Sequence, residues 1–167
     1  MNLIKLIKNK LQLKSFDEKV SDFLDKAFLK ENNDNLIHNN GNLVREDSKL
    51  CVFEHNFATG IYLRRMILAQ GAYVVGCIHK RDHVWFLLDG YVTVATQNGK
   101  QDYVAPYVGF AKAGTRRIVY AHEKTIFQNV FQNPFEYRNL DKLEEYNFSL
   151  TKKDYDDFIR SRDIKSS

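Results

Sequence analysis

The sequence predicts a mainly β protein, a closed or double-sheet barrel of short strands preceded by a helical extension. Three observations carry this. Short runs rich in β-branched and aromatic residues recur from residue 51 to about 130, separated by glycine-bearing turns. Seven of the eight glycines lie between Gly60 and Gly114, whereas residues 1–40 contain neither glycine nor proline. No alternation of strand-like and helix-like segments occurs, which argues against a parallel α/β sheet. With 167 residues, 44% of them hydrophobic, the chain can bury one core of ordinary size.

The elements follow in order. Leu3, Ile4, Leu6, Ile7, Leu11 and Leu13 alternate with Lys5, Lys8, Lys10 and Lys14 in a short basic amphipathic segment. Two readings of it stay open: a terminal helix packed on its own domain, or one lying on a membrane or a partner. Ser15-Phe16-Asp17-Glu18 is a capping box, and Phe16, Val20, Phe23, Leu24, Ala27 and Phe28 recur at helical steps, so a helix is expected over 15–31. The asparagine-rich stretch 32–42 ends it. Residues 1–42 thus form a helical N-terminal extension and linker, 43–135 the barrel, and 136–167 a polar C-terminal tail with helical turns at 142–146 and 154–160.

Within the barrel, strands are expected at 60–69, 73–78, 84–88, 91–96, 101–104, 107–111, 117–121 and 125–130. Asp89-Gly90 and Asn98-Gly99 supply tight turns, because both dipeptides tolerate positive φ. The longest apolar runs, such as Val84 to Leu88, stop at a strand's length, so no transmembrane segment is expected. The two cysteines are too few for a disulfide framework. Without a charged-then-apolar leader, a reducing, intracellular setting is the expectation. Cys51 reads as a buried small hydrophobe. The net charge of +4 resides in residues 51–140, with 10 basic against 6 acidic groups, too modest an excess to argue for nucleic acid.

Of the five histidines only His79 and His83 are close in sequence, within Gly76-Cys77-Ile78-His79-Lys80-Arg81-Asp82-His83 and followed by Gly90. This spacing resembles the first motif of the cupin superfamily, a His-x-His, a glutamate and a later glycine on two strands of a small barrel. The resemblance implies a cupin-like double-stranded β-helix, or jelly roll. It sets His83 at the glutamate position, His79 at the second histidine and Cys77 at the first. Residues 77 and 79 share a strand face by parity. The second cupin motif falls on Lys112-Ala113-Gly114-Thr115-Arg116-Arg117, so Arg117 stands where the last histidine ligand would be, and a guanidinium cannot ligate a metal. Glu123, with the same strand parity as Arg117, is the candidate replacement ligand, whereas His122 points the other way.

A wider resemblance, over about residues 53–132, is to small uncharacterised cupin-like proteins encoded by tailed phages. In those relatives a histidine ends the last core strand where this chain has Phe131. The resemblance implies a homo-oligomer with a phage or host protein as partner, in the host cytoplasm, with the virion as the alternative location.

Two readings of the histidine pair stand side by side. One is a solvated loop beside Lys80, Arg81 and Asp82. The other is a divalent metal site (Zn, Fe, Ni or Mn) held by His79 and His83 with Cys77 or Glu123. Arg116, Arg117 and Tyr120 are the candidate ligand-binding residues. Arg117 in particular would clamp a small anion bidentately at the barrel mouth. The functions in play are a binder of a small anionic ligand or protein partner, a metal-dependent enzyme acting on a small polar substrate, and a virion structural or assembly component.

Overall fold

Alternation of buried and exposed residues sorts the side chains of residues 51–133 into an inner and an outer set, and the computed structural model shows what that sorting builds. The structure describes residues 15–20, 36–38, 47–48 and 50–166. Contacts divide the chain into two units, residues 1–33 and 34–167. In the first, residues 16–20 are helical. The expected capping box is present, with Glu18 N–H donating to Ser15 Oγ at 3.2 Å and Ser15 N–H to Glu18 Oε2 at 2.6 Å. The basic segment 3–14 and the rest of the expected helix lie outside the described residues.

The second unit contains the strands β1 (Leu36–His38), β2 (Asp47–Ser48), β3 (Cys51–Ala58), β4 (Gly60–Leu68), β5 (Tyr73–Val75), β6 (Ile78–His79), β7 (His83–Asp89) and β8 (Tyr91–Thr96). These are followed by β9 (Gly99–Val104), β10 (Tyr107–Ala111), β11 (Ile118–Ala121), β12 (Thr125–Asn133), helix α1 (Leu140–Asn147), β13 (Phe148–Ser149) and helix α2 (Lys152–Ser166). One sheet has the order β1-β5-β11-β8-β9 and the other β10-β7-β12-β4-β3-β2. All pairings are antiparallel except β1 with β5. Both sheets contribute to one apolar cluster, with Met66, Leu68, Trp85, Leu87 and Phe127 from the second and Val74, Val92, Val94, Val119 and Ala121 from the first. Two facing sheets whose strands interleave along the chain form the mainly β, double-stranded β-helix that the sequence predicts.

Two glycines are required by the geometry. Gly90 turns β7 into β8 at φ +95°, where a Cβ would also lie 2.4 Å from Thr125 Oγ1. Gly109 on β10 lies against the Trp85 indole, with an added Cβ only 2.0 Å from the ring, so the largest inward side chain fits because its neighbour has none.

The structure departs from the expected elements in several places: residues 36–38, expected within the linker, form β1 and pair with β5. The run 73–78 is not one strand: it breaks after Val75 and resumes at Ile78. Gly76 N–H donates to the Arg117 carbonyl at 2.8 Å and draws the chain across to the loop before β11. The parity argument for residues 77 and 79 therefore fails, and Cys77, Ile78 and His79 are all buried in succession. The polar tail is also more structured than its composition suggests. β13 pairs with β6, setting Phe148 opposite His79, and Lys80 N–H donates to the Asn147 carbonyl at 2.8 Å. Asn139 caps α1 by accepting from Lys142 N–H at 3.0 Å, and Thr151 with Asp154 forms a capping box for α2.

Candidate functional site

Inward-facing residues on β4, β12 and β7 meet in layers set by the strand register. Met66 aligns with Phe127 and Leu87; one step along, Arg64 aligns with Asn129 and Trp85; beyond that, Tyr62 aligns with Phe131. The interior thus passes from apolar to basic to aromatic along the same strands. Arg117, just before β11, enters the basic layer from the facing sheet, and its guanidinium is 5.7 Å from both the Trp85 and Phe127 rings.

Arg117 is only 6% exposed. Its Nη2 donates to Asn129 Oδ1 at 2.9 Å and to His83 Nε2 at 2.8 Å. Nη1 is buried with no hydrogen-bond partner, and among the described residues no carboxylate forms an ion pair with this guanidinium. Burial, reinforced by Arg64, pushes the Arg117 pKa down to about 9. Arg64, also buried, faces Phe148 at 4.8 Å and Phe131 at 5.4 Å and lies 4.0 Å from Glu144.

The two histidines do come together, with ring centroids 4.2 Å apart. His79 Nδ1 donates to the Thr115 carbonyl at 3.0 Å, which leaves Nε2 as the bare acceptor. His83 accepts from Arg117 on Nε2, so its proton resides on Nδ1. Burial, then the charge of Arg117, holds His79 well below the ordinary histidine range and lowers His83 to about 3. Both rings are neutral at physiological pH. Phe148 covers His79 edge-on at 5.3 Å, so the C-terminal segment closes this end of the barrel.

The other candidate residues lie elsewhere. Cys77 packs among Tyr62, Phe131, Leu143 and Phe148, and burial pushes its thiol up to about 11. Cys51 is buried in the apolar cluster, as expected, with its thiol pushed to about 12. Glu123 is exposed in the turn between β11 and β12, because the chain leaves the strand at Ala121 and the parity relating it to Arg117 ends there. Arg116 is buried, with Nε donating to the Gly76 carbonyl at 2.9 Å. Tyr120 lies on the outer face of β11, 4.5 Å from Tyr73, away from Arg117. His122 also faces outward, stacked on Tyr91 at 4.1 Å and bonded to Thr93 Oγ1 at 2.6 Å.

These donors do not fit a divalent cation. One imidazole lone pair is taken by the Arg117 guanidinium, two buried arginines face the same space, and among the described residues no group of three His, Cys, Asp or Glu side chains converges. A cavity of about 20 Å³, lined by Arg64, Arg117, His79, Asn129 and Phe127, lies between the sheets and has room for one water-sized species.

No protein-family model and no curated protein matches this chain by sequence. Solved structures that resemble it include a cupin superfamily protein from Desulfitobacterium hafniense DCB-2, 13% identical over 50% of this chain and 78% of that one, with a TM-score of 0.47. A cupin 2 domain-containing protein from Halorhodospira halophila is 13% identical over 61% of this chain and 79% of its own, with a TM-score of 0.46. A salicylate 1,2-dioxygenase from Pseudaminobacter salicylatoxidans is 8% identical over 57% of this chain and 29% of its own, with a TM-score of 0.49. The fold assignment itself rests on the strand order described above.

Sequence reasoning overlooked Arg64, Asn129 and Phe148. The first two were accessible through parity: Arg64 falls in step with Tyr62, Met66 and Leu68, and Asn129 with Phe127 and Phe131. Phe148 carried no local signal, because its role comes from a strand pairing 69 positions back in the chain, at His79.

Proposed function

We propose that the basic layer of the barrel interior binds a compact, near water-sized anion such as a halide on Arg117. The observation that supports this is a buried guanidinium with an unpartnered Nη1 and, among the described residues, no carboxylate in an ion pair with it, beside a water-sized cavity. An isolated buried cation is unfavourable unless paired, and an anion in that cavity would supply the missing charge and accept from Nη1. Arg64 would add attraction, and Asn129 and His83 hold the guanidinium in place. The reading is of a binding protein, because what these residues offer the cavity is a positively charged donor held in place.

The test is thermal unfolding at constant ionic strength with rising chloride. A ligand that binds only the folded state stabilises by about 2.7 kcal/mol at a hundred times its Kd. Stabilisation is expected in the unaltered chain and not in Arg117→Met. Stabilisation that persists unchanged in that variant, or none in either protein, refutes the reading. Stoichiometric metal that is lost on replacing His79 and His83 by alanine supports the metal-dependent alternative instead.

A further inference from the structure

A second cleft lies outside the barrel, where the β6–β7 loop meets α1 and α2. Its volume is about 330 Å³, at the lower end of the range for small-molecule sites. Lys80, Arg81 and Lys142 line it together with Tyr137, Tyr146 and Phe158, and Glu145 is its one carboxylate residue. The fold fixes two of the three cations. Lys80 Nζ donates to the Glu145 backbone carbonyl at 2.6 Å, and Arg81 donates to the Tyr146 carbonyl. The Arg81 guanidinium is 3.6 Å from the Tyr146 ring centroid and 5.3 Å from that of Phe158, which also has the Lys80 ammonium at 5.3 Å.

Among the described residues neither Lys80 nor Arg81 forms an ion pair with a carboxylate. Each also keeps donors beyond the one used on a carbonyl. Partial burial lowers the pKa of both, and the adjacent guanidinium lowers Lys80 further; Glu145 and Asp154 pull Lys80 back up, and Arg162 adds to the positive field at Arg81. Three cations against one lining carboxylate leave the cleft net positive, which favours an anion there.

We propose that this cleft binds a phosphate-bearing small molecule with a flat ring. The forked guanidinium and the ammonium read the phosphate oxygens, Lys142 neutralises its second charge, and the ring occupies the space along Tyr137 and Tyr146. The volume exceeds what inorganic phosphate fills, which is why the ligand carries a body as well as a charge. The site is separate from the barrel interior and does not depend on how Arg117 is used.

The probes are phenyl phosphate and inorganic phosphate, titrated at constant ionic strength into the ¹⁵N-labelled full chain. Saturable amide shifts are expected at Lys80, Arg81, Lys142 and Tyr146, with phenyl phosphate binding more tightly than inorganic phosphate. Arg81→Gln should weaken binding about tenfold or more. Lys142→Gln, an exposed change that leaves the fold intact, should weaken it about two- to threefold. Shifts centred on His83, Arg117 and Asn129 would place the probe in the barrel and overturn the cleft. Equal affinity for the two probes, or affinity unchanged in both variants, would also overturn the proposal.

Discussion

Along β4 the inward residues run Leu68, Met66, Arg64, and along the approach to β11 they run Ala121, Val119, Arg117. The apolar end of the barrel interior and the basic layer beside it are therefore built by the same alternation and filled with opposite chemistry. At the apolar end Leu87, Val92 and Phe127 bury apolar surface, the main favourable contribution to folding. In the basic layer, cations and histidines are buried with few acids to meet them, an arrangement that works against stability. A fold tolerates such a layer when the apolar end compensates for it, and proteins hold unfavourable groups of this kind where they bind something.

That contrast can be broken in three ways. The largest effect should come from Leu87→Ala, which opens a cavity at the apolar end and should cost about 3–5 kcal/mol in chemical denaturation. A loss near zero would mean that this end is not the stabilising one.

Acid comes next. His79 and His83 are held below their ordinary pKa, so between about pH 6.5 and about 3 the unfolded chain binds protons that the folded chain refuses. Stability should therefore fall as pH drops below about 6.5, by up to about 1.4 kcal/mol per unit for each histidine. His83→Asn should flatten the slope, and a pH-independent midpoint over that window would contradict the burial of neutral imidazoles.

The smallest effect is the most informative. Arg117→Met replaces the buried cation with an apolar chain of similar length; relief of the buried charge offsets the loss of the donor to Asn129 Oδ1 and His83 Nε2, and the net loss should stay below about 2 kcal/mol. A loss matching that of Leu87→Ala would make Arg117 a structural member of the core rather than a group held for a ligand.

Much of this was legible in advance, for identifiable reasons. The strands β8 and β10 fall on their expected spans, because alternation and the Asp-Gly and Asn-Gly turns are local signals. The strand β3 was not separately expected: its half-buried pattern dilutes the alternation. The pairing of His79 with His83 followed from their spacing across a strand break. Cys77 was assigned by the motif spacing, with its parity to His79 as support, and Glu123 by extending the parity of Arg117 past Ala121, where the strand stops; parity carries no information across a break or a turn.

The order of residues alone determined the β class, the turns and which side chains face inward, because each depends on neighbours two to four positions away. Only the tertiary structure decided that Arg64, Arg117 and the histidines share one enclosed space, that Phe148 covers it, and that Lys80 and Arg81 meet α1 and α2 at a second cleft. Those relations join residues far apart in the chain, 34 positions for His83 with Arg117, 69 for His79 with Phe148 and 78 for Lys80 with Phe158. Register between strands distant in sequence is set by how the whole core closes, which no local pattern encodes.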